Sequence, residues 1–145
     1  MKSGMKRLLS IALLCILMLS LVTTAYAVTP RASDYFAATG CAVYAKGSGK
    51  ILIETDINAT EKMDKLGLEA VYVYERQYDG TYNEVAVYTP EDTAGMMFVD
   101  TAFYEGDIYY QGMIGKEYYA LVAFYAENAA GSEAIYRATD AVIAY

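Results

Sequence analysis

Apolar and polar residues alternate along most of the chain after residue 34, and a period of two is typical of β-strands. The first alternating run covers 35–44 and the second covers 51–58. Gly47-Ser48-Gly49 lies between the two runs and is a strong turn signal. The pattern therefore predicts two strands joined by a tight turn.

Four further extended segments are predicted in the middle of the chain. The stretches 68–78 and 81–89 are rich in β-branched and aromatic residues, and Asp79-Gly80 between them favours a hairpin turn. After a polar loop, 96–104 and 107–112 form two shorter strands.

One stretch departs from the period of two. In 59–67 the apolar residues Met63 and Leu66 lie three positions apart among charged residues, which is helical spacing. The sequence predicts a single helical turn here, between two separate strands.

The hairpin nearest the C-terminus has the clearest alternation. Val122 and Phe124 share the parity of the other apolar residues of their strand, whereas Tyr125 has the opposite parity. We therefore predict that Val122 and Phe124 lie in the core and that Tyr125 lies outside it. A turn over 127–132 leads into a last strand over 134–142.

The spacing of these elements predicts the fold class. About seven short strands without alternating long helices exclude a parallel α/β sheet. They predict an all-β fold, with one antiparallel β-sandwich domain over 35–145.

The first 27 residues have a different pattern. Basic residues precede an apolar run of roughly 15 residues, and Ala25-Tyr26-Ala27 supplies the small residues that a signal peptidase reads. A membrane anchor is the alternative, but the run is shorter than the ~20 residues needed to span a bilayer. We expect a signal peptide over 1–27, cleavage between Ala27 and Val28, a leader over 28–34, and membrane contact only before cleavage.

Cleavage would make the chain strongly acidic. The sequence has 11 basic and 18 acidic residues, and loss of Lys2, Lys6 and Arg7 leaves 8 and 18, a net charge of about −10. Such a field repels nucleic acid and anionic lipid, and no cluster of lysine and arginine opposes it. The composition therefore excludes nucleic acid as a partner.

Histidine and cysteine limit the chemistry further. The sequence has no histidine, the commonest general base and metal ligand. Cys15 leaves with the predicted signal peptide, so Cys41 has no partner for an intrachain disulfide. We expect Cys41 to be a buried hydrophobic group, with an intermolecular disulfide or a reactive thiol as the functional alternative.

Acidic residues remain as candidates for catalysis or metal binding. Three pairs lie close in sequence: Glu54/Asp56, Glu91/Asp92 and Glu105/Asp107. Paired carboxylates suffice for glycoside hydrolysis, but these pairs lie beside predicted turns or on polar strand faces, where acids usually serve solvation. Calcium binding by Asp100, Glu105 and Asp107 stays open, although their spacing is not that of a calcium loop. We expect no catalysis and no cofactor.

Tyrosine is abundant, with 16 residues in the sequence. Half-buried sheet positions account for most of them, but exposed tyrosines can stack on sugar rings. The candidate ligand-binding tyrosines are Tyr72, Tyr74, Tyr109, Tyr110, Tyr119 and Tyr125. Tyr78 lies on the same hairpin as the first two.

The last hairpin resembles the final two strands of fibronectin type III and other immunoglobulin-like domains. The matching residues are Tyr118, Ala120, Val122, Phe124, Ala126, Asn128 and Gly131. The segment 68–82 is similar to the central hairpin of that fold, and the resemblance implies an immunoglobulin-like β-sandwich. The whole chain also resembles small uncharacterised exported proteins of Gram-positive bacteria with a Gly-x-Gly-Lys-Ile turn, here 47–51.

These features predict a secreted, non-enzymatic binding module, extracellular or cell-wall associated, whose ligand is a glycan or a protein. The alternative is a structural or adhesive protein that self-associates through its sheet edges or a tyrosine-rich face.

Overall fold

The computed structural model describes residues 33–145, which form a single unit. Its strands are β1 (Phe36–Ala45), β2 (Lys50–Arg76), β3 (Tyr82–Tyr88), β4 (Met97–Gln111), β5 (Glu117–Asn128), β6 (Gly131–Ala138) and β7 (Val142–Ile143). Strands hold 72% of these residues and helices hold none, which confirms the all-β prediction. The predicted signal peptide, its cleavage site and positions 28–32 of the leader lie outside the described residues.

All seven strands belong to one antiparallel sheet built around β2. The first half of β2 lies between β1 and β4, so that Thr55 pairs with Cys41 on one side and Gly106 on the other. The second half lies between β5 and β3, so that Tyr74 pairs with Tyr119 and Glu84. β6 extends the sheet beyond β5, and β7 pairs with the start of β5. The sheet curls into a half-barrel. Within 33–145 no helix is long and apolar enough to cross a membrane.

The predicted helical turn over 59–67 is wrong, because this stretch is the middle of β2. Lys65 pairs with Val99 of β4 and with Glu127 of β5, so the ladder is satisfied on both sides. Register shifts lie on either side, between Asn58 and Met63 and between Leu68 and Ala70. Such shifts bend a strand, so β2 turns from one half of the sheet into the other without a loop.

The predicted boundaries of two other elements also differ from the observed strands. The segments 96–104 and 107–112 merge into the single strand β4, because Glu105 and Gly106 pair with β2 without a break. The predicted last strand over 134–142 begins earlier, at Gly131, and ends at Ala138. Val142 then pairs separately with Tyr118 at the opposite end of β5.

The predicted tight turns are confirmed. Gly47 and Gly49 have φ of 86° and 77°, the left-handed conformation that glycine adopts at little cost. At the next hairpin the side chain of Asp79 accepts a hydrogen bond from the backbone nitrogen of Thr81 at 2.9 Å. Asn128 closes the last hairpin by accepting one from Ala130 N at 2.9 Å.

Alternate residues of the central strands form the core. Val122 and Phe124 are completely buried, and Tyr125 on the other face is half-buried, so the predicted inside and outside assignments of β5 are confirmed. Ile51, Ile53 and other apolar side chains of β2 pack in the same cluster.

Side chains bridge the outer edges of β1 and β6. Arg137 Nε donates to Thr39 Oγ1 at 2.7 Å, and Ser33 Oγ donates to Glu133 Oε2 at 2.5 Å. Cys41 is half-buried beside this bridge, with its Sγ 3.9 Å from the carbonyl oxygen of Arg137. Partial burial raises the pKa of the Cys41 thiol, which keeps it protonated.

Candidate functional site

Four tyrosines of neighbouring strands lie together on the outer face of the second half of the sheet. On β2, Tyr72 and Tyr74 point away from the core because Val71 and Val73 point into it. Tyr119 does the same on β5 and lies directly opposite Tyr74. Tyr82 of β3 completes the group, which we call the tyrosine face: Tyr72, Tyr74, Tyr82 and Tyr119.

Three rings of the tyrosine face pack on one another. Tyr74 and Tyr119 are stacked, with ring centroids 4.9 Å apart and planes 8° apart. The rings of Tyr82 and Tyr119 form an edge-on contact, with centroids 4.8 Å apart and planes at 77°. Both geometries are favourable for aromatic pairs. The cluster therefore forms a preformed aromatic surface across β2, β3 and β5.

Charged groups form the rim of this surface at one end. The hydroxyl of Tyr82 donates to Oε1 of Glu117, and Arg76 Nη1 lies 3.5 Å from the other carboxylate oxygen. The hydrogen bond to Glu117 raises the pKa of Tyr82, and partial burial raises that of Tyr74. At neutral pH both hydroxyls are therefore protonated donors.

Apolar side chains and Tyr125 extend the same face. Val87 of β3 pairs with Tyr72 and is exposed, as is its neighbour Val85. Tyr125 lies farther along β5, where its hydroxyl donates to Glu127 Oε2 at 2.5 Å. Lys65 Nζ lies 3.2 Å from the same carboxylate, and these two contacts lower the pKa of Glu127. The structure thus brings together Tyr72, Tyr74 and Tyr119, with Tyr125 on the same face but outside the ring cluster.

The remaining predicted tyrosines lie elsewhere. Tyr109 is 55% exposed on β4, where it pairs with Leu52 in the first half of the sheet. Tyr110, the next residue, points to the opposite face of β4. Its ring packs against the buried Tyr118, with ring centroids 5.5 Å apart. Tyr78 is fully exposed at the hairpin tip, with Lys116 Nζ 4.6 Å from its ring centroid. The six predicted residues therefore do not form one site.

Sequence reasoning missed Tyr82. It follows the Asp79-Gly80 turn, so only the register shift between Val73 and Tyr74 decides which residues it meets. Its signal was the aromatic residue just beyond a predicted hairpin turn, on a strand next to Tyr74.

Four carboxylates line a shallow cavity on the other half of the sheet. We call it the acidic groove: Glu54 and Asp56 of β2 with Glu105 and Asp107 of β4. Glu54 pairs with Asp107 and Asp56 pairs with Glu105, so two pairs of acids that are distant in sequence lie side by side. The cavity measures about 280 Å³ and includes Thr55, whose hydroxyl donates to Gly106 O at 2.8 Å.

The suggested calcium set does not come together. Asp100 lies on β4 away from the groove and forms an ion pair with Lys62, whose Nζ is 3.5 Å from Asp100 Oδ1. Within the part of the chain that the structure describes, no three Asp, Glu or Cys side chains are placed to hold a metal ion.

Comparison with known proteins adds no assignment to this geometry. No protein-family model matches the sequence, and no curated protein matches it.

Proposed function

We propose that the chain is a secreted, non-enzymatic binding module with an immunoglobulin- or fibronectin type III-like fold, acting outside the cell or at the cell wall. The strand pairings support the fold. In immunoglobulin domains strands A, B and E share one sheet and strands C, F and G share the other. Here β1, the first half of β2 and β4 pair in the first pattern, and the second half of β2, β5 and β6 pair in the second. Both patterns belong to one sheet here, because β2 runs through both.

A buried tyrosine provides a second argument for that fold. Immunoglobulin-like domains have a tyrosine near the start of strand F whose hydroxyl bonds to the backbone a few residues upstream. Tyr118 lies at the second position of β5, and its hydroxyl accepts a hydrogen bond from Met113 N at 2.8 Å. Both features support the assignment of β5 as the counterpart of strand F.

The tyrosine face is the proposed contact surface, and the observation that carries this proposal is the Tyr74–Tyr119–Tyr82 ring cluster. Protein interfaces are enriched in tyrosine at the centre, with charged residues at the rim, as Arg76 and Glu117 are here. Sugar rings stack on open aromatic faces, whereas the stacking of Tyr74 on Tyr119 covers one face of each ring. We therefore favour a polypeptide ligand over a glycan.

Selection of a displayed random-peptide library on the folded chain tests this proposal. Enriched peptides should bind the wild type and lose about tenfold or more in affinity on Tyr74→Ala/Tyr119→Ala. Tyr145→Ala, an exposed tyrosine outside the face, is the matched control and should bind normally. Denaturant unfolding of each variant verifies that it is folded.

Two parallel measurements distinguish the competing functions. A cell-wall glycan array that reports binding sensitive to the double substitution would replace the polypeptide ligand by a sugar. Sedimentation velocity that shows concentration-dependent assembly sensitive to the same substitution would favour the adhesive, self-associating alternative.

A further inference from the structure

The outer edge of β4 is long and has no strand beside it within residues 33–145. β4 has 15 residues, and among the strands that the structure describes it pairs only with β2. In an antiparallel ladder, the backbone groups of every second residue point away from the partner strand. Such an edge is a template for pairing with another chain.

Side-chain hydroxyls cover this edge at two points. Tyr88 donates to the carbonyl oxygen of Tyr109 at 3.1 Å, and Thr101 donates to that of Phe103 at 2.9 Å. Thr101 Oγ1 also accepts from Phe103 N at 3.2 Å. Residues 105 and 107 have the same parity and lie between these two points, so their backbone groups face the open side.

The charge along this edge selects the partner. From Met97 to Gln111 the strand has three acidic residues and no lysine or arginine. Glu105 and Asp107 also line the acidic groove with Glu54 and Asp56. Two copies paired through β4 would bring carboxylates together, and like charges on neighbouring strands destabilise pairing. A basic partner is complementary instead.

Exposed apolar side chains lie on both sides of the acidic stretch. Phe98 and Phe103 precede it at 43% and 47% exposure, and Tyr109 follows it. An added strand would cover these rings as well as the open backbone groups, which adds burial to hydrogen bonding.

We propose that the open edge of β4 binds an extended, basic segment of another polypeptide. The segment adds to the sheet as a strand, and its alternate lysine or arginine side chains lie over the acidic groove. This surface is separate from the tyrosine face, which lies on the other half of the sheet.

The test uses a synthetic peptide of about nine residues, a length that covers the open part of the edge, with lysine and threonine in alternation. Fluorescence anisotropy measures its binding to the exported chain at low and high salt. One control peptide carries glutamate in place of lysine. Another keeps every charge but has N-methyl groups on all its backbone nitrogens, so that it cannot donate to β4. The lysine peptide should bind, and both controls should bind at least about tenfold more weakly.

Paired substitutions locate the site. Glu105→Gln/Asp107→Asn should weaken binding about five- to tenfold, whereas Glu91→Gln/Asp92→Asn, which removes the same charge from an exposed loop, should change it less than about twofold. Glu105→Pro should bind more weakly than Glu105→Gln, because both lose the charge but only proline loses the backbone donor. Melting curves verify that both variants are folded.

Several results would overturn the proposal. If the N-methylated peptide bound as tightly as the unmodified lysine peptide, binding would depend on net charge and not on strand pairing. Equal weakening by the two double variants would place the contact elsewhere, and a dimer lost on Glu105→Pro would make the occupant a second copy. Tyr74→Ala/Tyr119→Ala should leave binding of the lysine peptide unchanged. This result distinguishes a failure of the present proposal from a failure of the tyrosine-face proposal.

Discussion

The hydroxyl of Tyr118 donates a hydrogen bond to Oε2 of Glu75 across 2.7 Å and accepts one from Met113 N at 2.8 Å. Lys116 Nζ lies 3.3 Å from the other oxygen of Glu75. The Tyr118 ring is completely buried, and its burial raises the pKa of the phenol to about 12. One side chain thus ties together β2, β5 and the loop between β4 and β5.

Tyr118→Phe should destabilise the domain by about 1–3 kcal/mol. The ring stays, but Met113 N loses its acceptor and Glu75 loses a donor in a poorly hydrated position. Tyr78→Phe is the control, because that side chain is fully exposed and should change stability by less than about 0.5 kcal/mol. Urea unfolding measures both variants, and equal stabilities would show that the Tyr118 hydroxyl is not a structural link.

The hydrogen bond between Tyr118 and Glu75 should make the stability of the fold depend on pH in the acidic range. The bond from Tyr118, together with Lys116, lowers the pKa of Glu75 below its ordinary value of 4.5 in the folded chain. A carboxyl group whose pKa is lower in the folded chain stabilises the fold at pH values above its unfolded pKa. This stabilisation is lost as the pH falls through the folded pKa. The Tyr118→Phe variant should therefore lose less stability than the wild type below pH 4.5. Unfolding midpoints measured through this range test the difference, and parallel pH profiles would contradict it.

The sequence predicts which face of each strand is buried better than it predicts which strands meet. Parity alone placed Phe124 inside and Tyr125 outside, because side chains alternate along any strand. Parity says nothing of partners, so the pairing of Glu54 with Asp107 and the contact of Tyr82 with Tyr119 needed the three-dimensional register. The same limit explains why the middle of β2 was predicted as a helical turn. Its strand conformation comes from ladders with β4 and β5, which override local spacing.

Gly67→Ala should be strongly destabilising, because the strand passes close to another backbone at this position. An added Cβ at Gly67 would overlap the carbonyl oxygen of Met96, which accepts a hydrogen bond from Leu68 N at 2.7 Å. We expect a loss of at least about 2 kcal/mol, as for other overpacked positions. Thermal unfolding is the measurement. A variant as stable as the wild type would mean that β2 and β4 do not pair at this point.

Phe124→Ala should cost roughly 3–5 kcal/mol, because the side chain is completely buried in the centre of β5. Tyr125→Ala should cost no more than about 2 kcal/mol, since its ring is half-buried and its hydroxyl bonds to Glu127 at the surface. Denaturant titration of the two variants gives the comparison. If Tyr125→Ala were the more damaging change, the two faces of β5 would be reversed and the tyrosine face would lie in the core.

The exported chain should begin at Val28. The apolar run before it is too short to span a membrane comfortably, and Ala25 and Ala27 provide the small side chains that a peptidase needs. Intact-mass measurement of the protein from culture medium should give the mass of residues 28–145. Ala25→Leu/Ala27→Leu should block this cleavage and hold the chain at the membrane, whereas Thr23→Ala, just outside the recognised positions, should be processed normally. A secreted mass that still contains Cys15, or wild-type protein found only in membranes, would replace the signal peptide by an anchor.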